Sequence, residues 1–349
     1  MATPLELSST QSDIEDSPEA AFQFMIDNGW SDGLPVIPPT AERVQAMLDY
    51  AQRDASELVG YINPDAGSAT VEKIAVNAVM AGCLAEYMPV LIAAIQAITE
   101  PSFNIHGLQT TTNPVSPLLI INGPVREMIG LNSGRGTLGP GYRANATIGR
   151  AVRLLLLNVG GAKPWTTDMS LHGSPAKYIS CMGENEEDST WDPLHVERGF
   201  SPDQSTVTVV GAQGFTNCLT FYKEPESFLN MIASGMADIS DNNYLLAAGN
   251  PLVILTPGHA QIFSDGGYTK QSVKEALFEL CKVPIDRFPK ETSVITYEDG
   301  FAMDGDRVCP CQSADDIIIV VSGGPEPYHV LYCGNFGDTT AVTKEVQLP

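Results

Sequence analysis

The stretch "TVTVVGAQG", Thr206 to Gly214, decides the fold. It is a run of β-branched and small apolar residues without polar alternation, and it stops at a glycine. Three further runs share that pattern: "PLLIINGP" (Pro117 to Pro124), "PLVILTPGH" (Pro251 to His259) and "DDIIIVVSGGP" (Asp315 to Pro325). Apolar runs of this length without alternation suit strands covered on both faces. The runs at Thr206 and Pro251 each lead, past a glycine turn, to a helical pattern, "ESFLNMIASGM" and "KQSVKEALFEL". That order points to a βα duplication. The expected fold class is therefore α/β: a helix-rich N-terminal half, then a mixed or largely parallel sheet with βα units. In open α/β sheets ligands sit beyond the carboxyl ends of the strands, where these glycine turns lie.

Working outward, residues 1–17 are polar and read as a flexible tail. Residues 18–200 form a helix-rich N-terminal part and residues 201–349 an α/β C-terminal part, with one continuous domain as the alternative. A helical pattern covers Pro18 to Asn28 and ends in "NGWSDGLPVIPPT", a proline-rigid arm that carries Trp30 and Asp32. Thr40 caps a helix running to about Gln52. A helical pair spans Val71 to Thr99, with its break expected near Pro89.

Charge restricts the partners. The chain carries 42 acidic against 19 basic residues, a net charge of −23. Nucleic acid and anionic membranes both require basic surface, so neither is an expected partner. The longest apolar run, Ala75 to Ile98, is broken by Glu86 and Pro89 and reads as packed helices rather than a span. The N-terminus has no basic region followed by an apolar core, and the cytoplasm is the expected compartment. A small-molecule substrate and a homo-oligomer are the expected partners. Seven cysteines in 349 residues do not form a disulfide scaffold and are expected to be reduced.

Against that acidity, "LNSGRGTLGPGYRANATIGRAVRLLLLN" (Leu131 to Asn158) gathers arginines around glycines. Gly136 and Gly141 free the backbone to turn N–H groups toward an anion, which Arg135 and Arg143 would grip at a helix start. The alternative is a glycine-rich connection whose arginines pair with the protein's own acids or form a subunit contact. A second constellation, Leu171 to Phe200, holds His172, Cys181, Glu184, Asn185 and His195. A carboxylate and a neutral imidazole can move protons near pH 7, which makes Glu184, His195 and His172 the candidate catalytic residues. Asn185, Asn145 and Thr111, the last in the hydroxyl-rich "NIHGLQTTTNP", are candidates for orienting a substrate. His172, Glu184 and His195 as metal ligands, or a solvated acidic loop with packing histidines, remain the other readings. Near the C-terminus Cys309 and Cys311 precede the last apolar run, while His329 and Cys333 follow it. This soft set suits zinc or a redox pair if strand and loop fold together; ordinary reduced cysteines are the other reading. No cofactor is required by the sequence, and a metal stays open.

The motifs "WSDGLPVIPPT", "TVEKIAVNAVMAGCLAEYMPV", "GPGYRANATIGRA" and "GENEEDSTWDPLH" together resemble a poorly characterised bacterial family related to, or associated with, the UGSC proteins, which carry Cys or selenocysteine in a Gly-Ser-Cys motif. The resemblance extends over most of the chain and implies an association with thiol or selenol chemistry. This sequence has no Gly-Ser-Cys motif, so no catalytic cysteine is carried over. His329 matches a histidine of the family's glycine-rich strand end, whereas Cys309 and Cys311 depart from it. The reading that combines these features is an enzyme acting on a small polar, anionic substrate by acid–base chemistry of the lyase, hydratase or hydrolase kind. A thiol- or metal-dependent redox protein and a non-catalytic ligand-binding subunit are the alternatives.

Overall fold

The computed structural model describes residues 7–246, 249–291 and 301–349. Helix α1 (Pro18–Asp27) and α2 (Ala41–Ala51) precede a hairpin of β1 (Leu58–Ile62) and β2 (Gly67–Thr70). Then come α3 (Val71–Ala81), α4 (Met88–Ile98), α5 (Ile105–Thr110), β3 (Ser116–Asn122), α6 (Val125–Met128) and α7 (Arg143–Asn158). The middle of the chain forms β4 (Cys181–Gly183), α8 (Leu194–Glu197), β5 (Thr206–Ala212), β6 (Thr216–Leu219), α9 (Pro225–Met236) and α10 (Asn242–Leu245). The last part holds β7 (Leu252–Leu255), α11 (Pro257–Asp265), α12 (Lys270–Leu280), three two-residue strands β8 to β10 (Val283–Pro284, Met303–Asp304, Arg307–Val308), β11 (Ile318–Val321), β12 (His329–Cys333) and β13 (Val342–Glu345).

The α/β class holds, and the two four-stranded sheets are mixed. One sheet has the order β13-β5-β3-β4 and the other β11-β7-β12-β6. Side-chain parity shows why no alternation is visible in the apolar runs. In β3 and β5, Leu119, Ile121, Val207 and Val209 face helices α3, α4 and α7, whereas Leu118, Ile120, Val210 and Ala212 meet Leu252, Ile254, Ile318 and Val320 of the other sheet. Val253, Leu255, Ile319, Val330 and Tyr332 turn away from that layer toward α9, α11 and α12. The architecture is four layers, helix, sheet, sheet, helix, so each central strand is buried on both sides without being part of an all-parallel sheet.

A duplication is present, but it pairs different runs from those expected. β3 lies parallel to β4 and antiparallel to β5; β7 lies parallel to β11 and antiparallel to β12. The run at Pro117 thus corresponds to the run at Pro251, and the run at Thr206 to β12. The fourth strand of each set crosses over: β6 pairs with β12 and β13 pairs with β5, both antiparallel. Each half completes the sheet of the other. The boundary expected at 200/201 falls inside one sheet, because β3 pairs with β5 along its whole length.

Local chemistry accounts for the helices. Thr40 and Thr70 cap α2 and α3 through their hydroxyls. The break in the Val71–Thr99 pair falls at Gly82, φ +90°, and not at Pro89, which sits in the first turn of α4, where no hydrogen bond is lost. α4 is buried almost all round and packs on β5 and β13, which is where its long apolar run is spent. Among the described residues no helix is long and apolar enough to cross a membrane. Within the expected flexible tail, residues 1–6 lie outside the described residues. Ser8 and Ser9, by contrast, donate to the buried carboxylate of Glu72 at 2.8 to 3.0 Å.

Candidate functional site

The carboxyl ends of the two parallel pairs meet. Glu184 N–H donates to the Ile121 carbonyl, and Asn185 N–H to the Val321 carbonyl at 2.8 Å. The Ser322 hydroxyl donates to the Gly183 carbonyl at 2.7 Å. β3 ends in Asn122-Gly123-Pro124, where Gly123 has φ +81° and a Cβ would lie 2.2 Å from the Gln204 carbonyl. Only glycine turns the chain here. The turn starts α6 and brings Arg126 back beneath the loop that follows β4.

Glu184 is fully buried at this junction. Its Oε2 accepts from Asn122 Nδ2 at 2.7 Å and from Leu194 N–H at 2.8 Å; Oε1 accepts from Val321 N–H at 3.3 Å. Burial pushes the carboxyl above the ordinary carboxylate range, against the pull of the Lys270 charge and of these donors. Glu186 accepts from Asn122 Nδ2 at 3.0 Å and Gly123 N–H at 2.7 Å. Arg126 donates to the Glu184 carbonyl at 2.6 Å, binds Glu187 through both Nη atoms and lies 3.1 Å from Glu186. His195 follows Leu194 into the same centre, completely buried, with Nδ1 at 3.9 Å from Glu186 Oε1. Neither of its ring nitrogens has a hydrogen-bond partner, and neither has Asn122 Oδ1. Orphaned buried polar atoms cost about 1–3 kcal/mol each and call for an explanation. A buried carboxyl of raised pKa and an unpaired imidazole, linked through Asn122 and Glu186, form a set able to give and take protons.

The remaining candidates are distributed elsewhere. Asn185 adjoins the centre but is occupied by Asp188, which it binds through Nδ2 and Oδ1. His172 is exposed, on a segment held by the Leu171 N–H to Thr112 carbonyl bond at the amino end of β3. Thr111 is at that end too, its hydroxyl accepting from Asn113 N–H. The length of β3, roughly 20 Å, separates both from Glu184, so neither belongs to its site. The arginines of the glycine loop do not converge. Arg135 is exposed and paired with Glu326 at 2.6 Å; Arg143 donates to the Gly82 carbonyl at 3.0 Å. Gly136 and Gly141 have φ +77° and +112°, with open space where a Cβ would stand. Asn145 binds the backbone of Asn132 and Thr137 and fixes the shape of the loop.

The thiol set is dispersed for a geometric reason. His329 and Cys333 stand on one strand, four residues and about 13 Å apart; His329 is exposed against Asn217, and Cys333 is sealed between the sheets. Cys311 packs on the opposite, helix-covered side, its Sγ 3.1 Å from the Ser313 carbonyl, and Cys309 is buried near Lys282. Among the described residues no group of three or more His, Cys, Asp or Glu side chains is placed to hold a metal ion. All seven cysteines are free and buried, and burial raises every thiol pKa, that of Cys333 to about 12.

Asn122, Arg126 and Glu186 were not singled out by their sequence context. The available signal was the glycine turn closing the first apolar run, with an asparagine just before it and an arginine three residues after it. No family model matches the chain, and no curated protein is recognisably similar to it in sequence.

Proposed function

We propose that the chain is an enzyme that moves protons on a small polar substrate at the Glu184–His195 centre, in a reaction of the lyase, hydratase or hydrolase kind. The observation that carries this reading is His195, sealed from solvent with both nitrogens unpaired and 3.9 Å from Glu186, which shares the Asn122 amide with Glu184, a carboxyl of raised pKa. Glu184 acts as acid or base, His195 as its partner, and Asn122 orients. Arg126 is already matched by Glu186 and Glu187, so this centre favours a neutral polar substrate group over an anionic one. The uniformly raised thiol pKa values count against thiolate chemistry. Kinship with the UGSC-associated family stays a proposal resting on the four motifs. The free cysteines support a reducing compartment such as the cytoplasm, and a homo-oligomer is part of the same proposal.

The test needs no known substrate. Small carbonyl and hydroxy compounds are incubated with the protein in D2O, and deuterium incorporation is followed by NMR. Incorporation is expected with the wild type and is expected to be lost in Glu184→Gln and His195→Asn variants whose circular dichroism is unchanged. Exchange that survives both substitutions would remove these residues from the chemistry. Retained ligand binding without exchange in the wild type would favour the binding-subunit alternative.

A further inference from the structure

At the amino end of the β3–β4 pair, away from Glu184, lies a small cavity of about 10 Å³, room for one particle of water size. Its walls include Gln109 of α5, Ser116 at the start of β3, Gly149 and Arg153 of α7, Lys177, and Ser180 just before β4. A Cβ on Gly149 would come within 2.7 Å of the Ser180 nitrogen, so glycine lets this segment lie against the helix. Gln109, Ser116 and Ser180 are 2%, 4% and 5% exposed. Gln109 Oε1, Ser116 Oγ and Ser180 Oγ all lack a hydrogen-bond partner. Three orphaned polar groups around one space mark a site built for a polar occupant.

Charge selects the occupant. Lys177 Nζ binds Asp168 at 2.8 and 2.9 Å, and Arg153 lies 3.6 Å from the same carboxylate. Asp32, the other acid acting on Arg153, is held by both nitrogens of an Arg150 fork at 2.8 Å. Three cations, Arg150, Arg153 and Lys177, thus face two carboxylates, Asp32 and Asp168. Tyr178, half-exposed, is the remaining titratable neighbour. Among the described residues no acidic side chain lines the cavity. Burial lowers the pKa of both Arg153 and Lys177 against the opposing pull of Asp168. We propose that this cavity binds a small monatomic anion, a halide such as chloride, against Arg153 and Lys177. The Ser116 and Ser180 hydroxyls donate to it, and a half-turn of the Gln109 amide adds its NH2. The site is separate from the Glu184 centre and does not depend on the function proposed for it.

The experiment uses the full chain at constant ionic strength, with sodium gluconate replaced stepwise by chloride or formate. Chloride is followed by the ³⁵Cl NMR linewidth and both anions by thermal unfolding. Chloride is expected to act saturably, to bind about tenfold more weakly in Ser180→Ala, as loss of one hydrogen bond to a charge implies, and to lose its effect in Lys177→Gln. Formate, too large for the space, serves as the control, and an effect of formate without one of chloride overturns the proposal. No effect of either anion beyond gluconate, or an effect equal in wild type and Ser180→Ala, overturns the proposal and leaves a water molecule as the occupant. Should Lys177→Gln fail to fold, Ser180→Ala decides alone.

Discussion

At the residue scale, burial governs the chemistry of single carboxyl groups. Asp241 is buried between Tyr332 and the α10 backbone, accepting from Asn243 N–H at 2.8 Å and the Tyr332 hydroxyl at 3.3 Å. Burial, which outweighs these donors and is aided by the Asp238 charge, pushes its pKa up to about 6. An acid whose pKa is higher folded than unfolded contributes stability below its unfolded pKa, near 4, and that contribution is lost as pH rises through 6. Glu184, shifted in the same direction, adds to the same trend. Stability should therefore fall between pH 4 and pH 7. Asp241→Asn should flatten that slope and stabilise the protein at pH 7 by up to about 3 kcal/mol, read from urea unfolding at a series of pH values. An unchanged slope in the variant would mean that Asp241 is not the group responsible. Neither shift is visible in the sequence, where Asp241 and Glu184 stand among polar residues in "SDNNY" and "GENEED". Depth is supplied by strands distant in the chain.

At the scale of elements, the proline-rich arm after α1 and the helix α7 explain each other. Asp32 turns out to be structural: its side chain is 2% exposed and bound by two nitrogens of Arg150, while Arg150 also holds the Leu34 carbonyl at 3.1 Å. Asp32→Ala leaves a nearly buried guanidinium without its counter-charge, at a cost of roughly 3 kcal/mol. Denaturant unfolding should show that loss, and limited proteolysis should cut the freed arm first. Protease resistance equal to wild type would show that the prolines alone hold the arm in place. The arginine cluster was legible as composition, but each arginine found a partner of its own: Asp32, Glu326, the acidic loop after β4, or a backbone carbonyl.

For the whole molecule, the crossing of β6 and β13 is the controlling fact. Each four-stranded sheet contains one strand from the other half of the chain, and the sheets are joined again where Gln213 N–H meets the Gly334 carbonyl and Phe336 N–H the Gly211 carbonyl, both at 2.7 Å. Neither half can lose its structure without opening the other. Thermal unfolding should accordingly be one transition, with near-UV and far-UV circular dichroism changing together. Two separated transitions would mean that the halves are independent despite the exchange. At the edges opposite the exchanged strands the carboxyl ends of β4 and β11 meet, and the Glu184 centre forms there from residues as far apart as Asn122 and Val321.

The sequence by itself determined what depends on near neighbours and on pattern. Thr40 announces a helix start, apolar runs announce strands covered twice, and the density of polar groups from Leu171 to Phe200 marks Glu184 and His195 as residues to watch. Only the tertiary structure decided which strands are partners, because a strand's period of two tells which face is apolar and not which other strand lies beside it. It also decided which charges are free. Arg135 and Arg143, close together in the chain, point to different partners, while Asn122, Arg126 and Glu184 meet because two sheets end at the same place. Local sequence encodes the elements; the pairing of distant elements encodes the burial, and burial sets the chemistry.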